Sequence, residues 1–248
     1  MHLAPVTPAF ILHTRPYRET SMLVDFFTQE YGRISAVVRG VRQVRSKRAG
    51  LLLPFLPLCV SFRGKTDLVN IITLESTGVY FSLQNRALFC GLYANELLCR
   101  LLHKYDPYPV LYSLYQEFLT RLHKLPANIT QQQWVLYLFA QKLLQEIGYG
   151  VQWHKTANGE PINPDEYYYF EFGIGFVVAR QQQGILARNK YKGTSLLALY
   201  EDNWIDSNDS QSKNILQEID SIFSIIFQRL LGEKFLLCQR VFGGTVSK

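Results

Sequence analysis

The sequence predicts an α+β protein, with a small five-stranded β-domain in the first eighty residues followed by a mainly α-helical domain that carries a small inserted β-hairpin element. Three observations carry this. Between residues 9 and 75, β-branched and aromatic runs alternate with turn residues and leave no clear room for a helix. From Leu88 onward, apolar residues recur at helical spacing. Around residues 151–180 the pattern reverts to strand, with Asn158-Gly159 and Asn163-Pro164 as turn signals. The expected domains are therefore residues 1–80 and 81–248, with the β insert inside the second.

In order, Ala9–Thr14 is apolar and β-compatible, and Met22–Thr28 is rich in β-branched and aromatic residues. Alternation sends Phe26 and Phe27 of that strand to opposite faces, one into a core and the other toward a ligand. The turn Glu30-Tyr31-Gly32 leads into a strand over Arg33–Arg39, where Ile34, Ala36 and Val38 share one face and Arg33, Ser35, Val37 and Arg39 the other. Leu51–Phe62 reads as an edge or bent strand because it carries Pro54 and Pro57. Leu68–Leu74 follows the turn Arg63-Gly64-Lys65. Such a five-strand set suits an oligonucleotide-binding (OB) barrel, an SH3-like barrel or another small β-domain.

Leu88–Leu102 then places Tyr93, Leu97 and Leu101 on one helical face beside Ala94, Leu98 and Leu102. After Pro107 and Pro109, Val110–Leu122 faces inward with Leu111, Leu114, Tyr115, Phe118 and Leu122. Thr130 is the expected N-cap of a helix whose face is Leu136, Phe139, Leu143 and Ile147, ended by Gly148 and Gly150. Tyr167–Phe172 and Ile174–Ala179 read as a hairpin. Its residues Tyr168, Phe170 and Phe172 share a face that either packs on helices or offers stacking platforms for bases. An acidic loop, Glu201–Asp209, precedes a helix over Ile215–Leu231 with a broad apolar stripe.

Charge separates the two domains. Residues 1–80 hold ten Lys/Arg and five Asp/Glu, so +5 of the chain's +6 lies in the first third. Much of it is one stretch, Arg33–Gly50, with Arg33, Arg39, Arg42, Arg45, Lys47 and Arg48 and no acidic residue. Beyond Gly40 its alternation fails, and it is expected to be a flexible cationic loop. An apolar-backed strand running into such a loop suits a phosphate backbone; a solvated loop is the plainer alternative.

No P-loop, H-E-x-x-H, G-x-S-x-G or kinase-type set occurs, and the five histidines are scattered, none of them part of a zinc-type cysteine–histidine motif. No catalytic machinery is therefore expected. Cys59, Cys90, Cys99 and Cys238 form no C-x-x-C pair and read as free thiols in a reducing cytoplasm. The first ten residues lack the pattern of a signal peptide, and no apolar run reaches the length of a membrane span.

Several pieces taken together are similar to a known pattern. Ala9-Phe10-Ile11-Leu12, Arg18-Glu19-Thr20-Ser21, Gly32-Arg33, Arg39-Gly40 and Leu53-Pro54-Phe55 occur in series, followed by Gly91-Leu92-Tyr93-Ala94-Asn95-Glu96-Leu97-Leu98 and by Phe139, Leu143-Leu144 and Gly148-Tyr149. The series resembles the bacterial RecO family of recombination mediators over almost the whole chain. That resemblance implies an N-terminal OB-fold and a non-enzymatic role in DNA repair. It further implies binding of single- and double-stranded DNA, annealing of complementary strands, action with RecR, and help in loading RecA onto DNA coated by single-strand-binding protein. Many members carry a four-cysteine zinc site in the insert; here Trp153–Phe172 has no cysteine and only His154, so no zinc or other cofactor is expected. A site for the acidic tail of single-strand-binding protein would need a cation such as Arg121, Lys124 or Lys142.

On this reading Arg33 and Arg39 lie on the ligand face of the barrel and Arg42, Arg45, Lys47 and Arg48 on the loop beyond, with Arg15 and Arg18 joining them if the first hairpin folds toward that loop. The rival is a helical protein–protein adaptor whose basic loop binds an acidic partner segment instead of DNA.

Overall fold

A computed structural model describes residues 4–64, 67–126, 128–179, 189–203 and 210–232. Lys65 of the predicted turn, the acidic loop beyond Asn203, and Cys238 lie outside the described residues. The described residues fall into two compact units, one up to Lys124 and the other from Leu125 onward.

The first unit is built on five strands: β1 (Thr7–Tyr17), β2 (Ser21–Thr28), β3 (Gly32–Val38), β4 (Leu58–Arg63) and β5 (Leu68–Ser76). They close in the order β1-β2-β3-β5-β4, with β3 and β5 parallel and β1 returning to β4. This is the OB topology. Closure follows from alternation: Ile11, Val24, Phe26, Ile34, Ala36, Val38, Val60, Val69 and Ile71 all point into one apolar core. The predicted strand over Leu51–Phe62 is shorter than expected and is not an edge. Pro54 and Pro57 both fall before Leu58, so β4 keeps its amide donors and pairs on both sides. The segment ahead of it holds only a 3₁₀ turn at Ala49–Leu51.

Among the described residues two helices join the barrel in this unit, α1 (Asn85–Leu101) and α2 (Pro109–Lys124). β1 carries a bulge between Ile11 and His13, which frees main-chain carbonyls from the ladder. Asn95 of α1 meets them, its Nδ2 donating to Ile11 O at 3.3 Å and Leu12 O at 3.2 Å, while Tyr115 of α2 donates its hydroxyl to Asn95 Oδ1 at 2.5 Å. Burial pushes the Tyr115 phenol well above its ordinary value, so it is a secure donor. The outer-face Phe27 is not open to a ligand: it and Phe10 pack on the rings of Tyr112 and Tyr115. Gly91 of α1 accepts the Phe55 ring, since a β-carbon there would lie 2.8 Å from Phe55 Cζ. Two separate pieces of the recognised pattern thus meet in one contact.

The second unit holds α3 (Ile129–Glu146), a small sheet of β6 (Tyr167–Glu171), β7 (Gly175–Val178) and β8 (Tyr191–Lys192) in the order β7-β6-β8, then α4 (Gly193–Tyr200) and α5 (Ser210–Leu231). The N-cap of α3 is Asn128, not Thr130. Asn128 Oδ1 accepts from the amides of Thr130 and Gln131 and from the Thr130 hydroxyl, the better geometry for a short amide side chain one step outside the helix. The α5 stripe is buried as expected, with Phe223 stacked on Tyr137 of α3. Tyr168 and Phe170 of the hairpin are buried, and Trp153 packs on Phe176 and Phe223. That places Tyr168 and Phe170 in a core, whereas Phe172, past the end of β6, is half-buried and stacks on Tyr149. His154 stacks on Tyr200, and no group of three or more metal-ligating side chains occurs among the described residues.

Candidate nucleic-acid interface

One row of the barrel crosses all five strands on its outer face. Arg15 pairs in register with Leu23, Leu23 with Val37, Val37 with Asn70, and Asn70 with Arg63. Leu23 and Val37 are absent from the barrel core, while their chain neighbours Val24, Ala36 and Val38 belong to it. The row is therefore apolar in its centre and cationic at both ends. Toward the β1–β2 turn it opens into a cleft of about 670 Å³ walled by Tyr17, Arg18, Val37, Arg39 and Asn70, with Glu19 as its acidic member.

The basic segment beyond Val38 is more ordered than its composition suggests. It is a succession of turns, with the amides of Gln43, Ser46, Ala49 and Leu51 each bonded three residues back. Its two ends are fastened to the barrel. At one end Arg42 donates its amide to Thr20 O and its Nη1 to Arg18 O, both at 3.0 Å, and at the other Arg48 Nη2 donates to Ile72 O at 3.0 Å. The first hairpin and the basic loop are thus neighbours, which brings Arg15 and Arg18 beside Arg39 and Arg42. Arg45 and Lys47 are exposed on the loop, and Val44 at its tip is fully exposed. None of Arg15, Arg18, Arg39, Arg42, Arg45, Lys47, Arg48 or Arg63 enters an ion pair among the described residues.

Arg33 stands apart from this group. Its Nε donates to Leu102 O, the carbonyl that follows α1, at 3.0 Å, and its Nη1 lies 3.9 Å from Asp25 Oδ1. Its own carbonyl accepts from the Tyr105 amide at 3.0 Å. Gly32 beside it, at φ +61°, admits the same segment: a β-carbon there would fall 1.8 Å from Asp106 O. Alternation puts Arg33 and Arg39 on one face, but residues 102–106 cover the Arg33 end. Replacing Arg33 by Ala is expected to lower stability by about 2 kcal/mol, because Asp25 and Leu102 O lose a half-buried partner. Its salt-dependent DNA affinity, measured by anisotropy beside a denaturant titration, should stay as in the parent.

Sequence reasoning missed Tyr17 and Arg63. Arg63 faces the site only through the β4–β5 register, which shifts at a bulge between Ser61 and Phe62 that has no sequence mark. Tyr17 required knowing where the first strand ends. Of the other cations considered, Arg121 and Lys124 fall in the last turn of α2 and Lys142 on α3. Two clefts of the second unit, one lined in part by Glu171 and Arg229 and the other by Tyr149 and Lys155, bring no two carboxylates together among the described residues, and neither does the barrel cleft. No described helix is long and apolar enough to cross a membrane.

Two family models match the chain: the N-terminal domain of recombination protein O over residues 1–80 and its C-terminal domain over residues 84–236. Among similar curated proteins, a DNA repair protein RecO from Coxiella burnetii is 36% identical over 92% of this chain and 93% of its own length. One from Pseudoalteromonas atlantica is 38% identical over 96% and 94%, and one from Nitrosococcus oceani 40% identical over 77% and 76%.

Proposed function

The chain belongs to the recombination protein O family, and from that premise we propose that it serves DNA repair as a non-enzymatic, DNA-binding recombination mediator. Relatives are named DNA repair proteins over nearly the whole of this chain. The observation that carries the finer reading is the gathering of Arg15, Arg18, Arg39, Arg42, Arg45, Lys47, Arg48 and Arg63 around one barrel face without ion-pair partners among the described residues. Cations without carboxylate partners exchange counterions for phosphates, which makes binding largely sequence-independent and steeply salt-sensitive. Single and double strands both offer that backbone.

Annealing follows from the same charge. Two strands neutralised at once lose their mutual repulsion while most base edges stay free to pair. RecR, and single-strand-binding protein with RecA acting on the strand it coats, are the proposed partners. The test is a strand-annealing assay with complementary oligonucleotides, bare or coated with single-strand-binding protein. Acceleration of both is the expected result; no acceleration in either would overturn the mediator reading.

A further inference from the structure

The loop cations explain attraction to any phosphate backbone, but the cleft beside them has a different chemistry. Tyr17, Val37, Leu68 and Asn70 line it together with Thr20 and Ser21 at the β1–β2 turn. Arg18 lies over the Tyr17 ring, 5.3 Å from its centroid, and Arg39 is on the rim. Glu19 shares the cleft. A phosphate drawn to this face settles on the arginines, because the Glu19 carboxylate repels it. What suits the space between Tyr17, Glu19 and Asn70 is a flat, neutral group with hydrogen-bonding edges.

We infer that the Tyr17 cleft seats an unstacked base of single-stranded DNA, the face of the Tyr17 ring opposite Arg18 serving as its stacking platform and the Glu19 carboxylate and Asn70 amide meeting its edge. The inference rests on the DNA-binding reading above and deepens it. Stacking on an aromatic side chain accepts any base, because each has a π-face, whereas a paired duplex base has its faces already covered. The cleft, about 670 Å³ and open to solvent, has room for one base. The cleft is also held in shape. Arg42 bonds the turn twice, through Thr20 O and Arg18 O, and Arg18 keeps a left-handed backbone at φ +52° that a side chain disfavours. One face thus divides its labour: Arg45 and Lys47 on the loop hold phosphates of either form of DNA, and the cleft recognises only the single-stranded form.

The experiment compares the full-length protein with its Tyr17→Ala and Tyr17→Phe variants by fluorescence anisotropy, using a single-stranded oligonucleotide, the same strand with abasic sites, and the duplex. Tyr17→Ala should weaken single-strand binding about tenfold and leave duplex binding unchanged. Tyr17→Phe should match the parent. The parent should lose a similar factor on the abasic strand, a readout that needs no variant to fold. Equal loss on both DNA forms, no loss on either, a Phe variant as weak as the Ala variant, or indifference of the parent to abasic sites would each overturn the inference while leaving the phosphate interface standing. A parent that binds none of the three probes would overturn the DNA-binding reading itself.

Discussion

Asn95→Ala should lower the stability of the barrel unit by about 3–5 kcal/mol, the largest single-residue effect expected in this chain. Asn95 is 2% exposed and serves three groups at once, the carbonyls of Ile11 and Leu12 and the hydroxyl of Tyr115. Each buried group left without a partner costs about 1–3 kcal/mol. The two carbonyls cannot turn back to the ladder, because the bulge that freed them is built into β1. Asn95→Asp should be as damaging, since a carboxylate cannot donate to the carbonyls and would be buried with its charge. Chemical denaturation reads the change as a lower midpoint at constant slope. A loss under about 1 kcal/mol would mean that water replaces the amide and that Asn95 is not the latch between barrel and helix.

The second large effect is on binding; the barrel should stay folded, because the Arg42 amide and Arg48 still fasten the loop when the Arg42 side chain is removed. Arg39→Ala/Arg42→Ala/Arg45→Ala removes three exposed cations, of which Arg42 alone has a side-chain hydrogen bond to the barrel among the described residues. Single-strand affinity should fall about ten- to a hundredfold. The slope of log affinity against log salt is the sharper measure: roughly four phosphate contacts give a parent value near −3, and losing three moves it to near −1. Duplex affinity should fall with it, in contrast to the Tyr17 variants. Equal affinity in parent and triple variant would remove the loop from the interface and favour an acidic protein segment as its ligand. Competition with an acidic peptide then decides that case.

How much of this was legible in the sequence depends on the range of the interaction that decides it. Alternation alone assigned Ile34, Ala36 and Val38 to the barrel core, because a strand has only two faces and one of them was wholly apolar. The helical stripes of α1, α2 and α5 were readable for the same local reason. Alternation could not separate Arg33 from Arg39. Both lie on the outer face, and only the chain leaving α1 covers one and not the other. Phe27 escapes alternation in the same way, since the ligand side of its strand is partly occupied by α2. The loop beyond Gly40 has a flexible composition but turns on itself and is fastened through Arg42 and Arg48 to carbonyls 24 residues away in sequence.

The recognised pattern itself marks packing more than binding. Gly91 accommodates Phe55, Asn95 holds the bulge, and Gly32 admits the Asp106 carbonyl. These are close approaches with no substitute residue, and they identify the fold without marking any cation as a ligand for phosphate. The sequence by itself therefore determined the strand and helix faces, the concentration of charge in the first third and the family. Those depend on periodicity, composition and residues whose size or hydrogen-bonding geometry is irreplaceable. Only the tertiary structure decided that Arg15 and Arg63 terminate one row, that Tyr17 walls a cleft and that Arg33 is spent on α1. Barrel closure, a parallel β3–β5 pair and two register shifts bring those residues to their places, and none of these is encoded within the few neighbours that sequence reasoning can see.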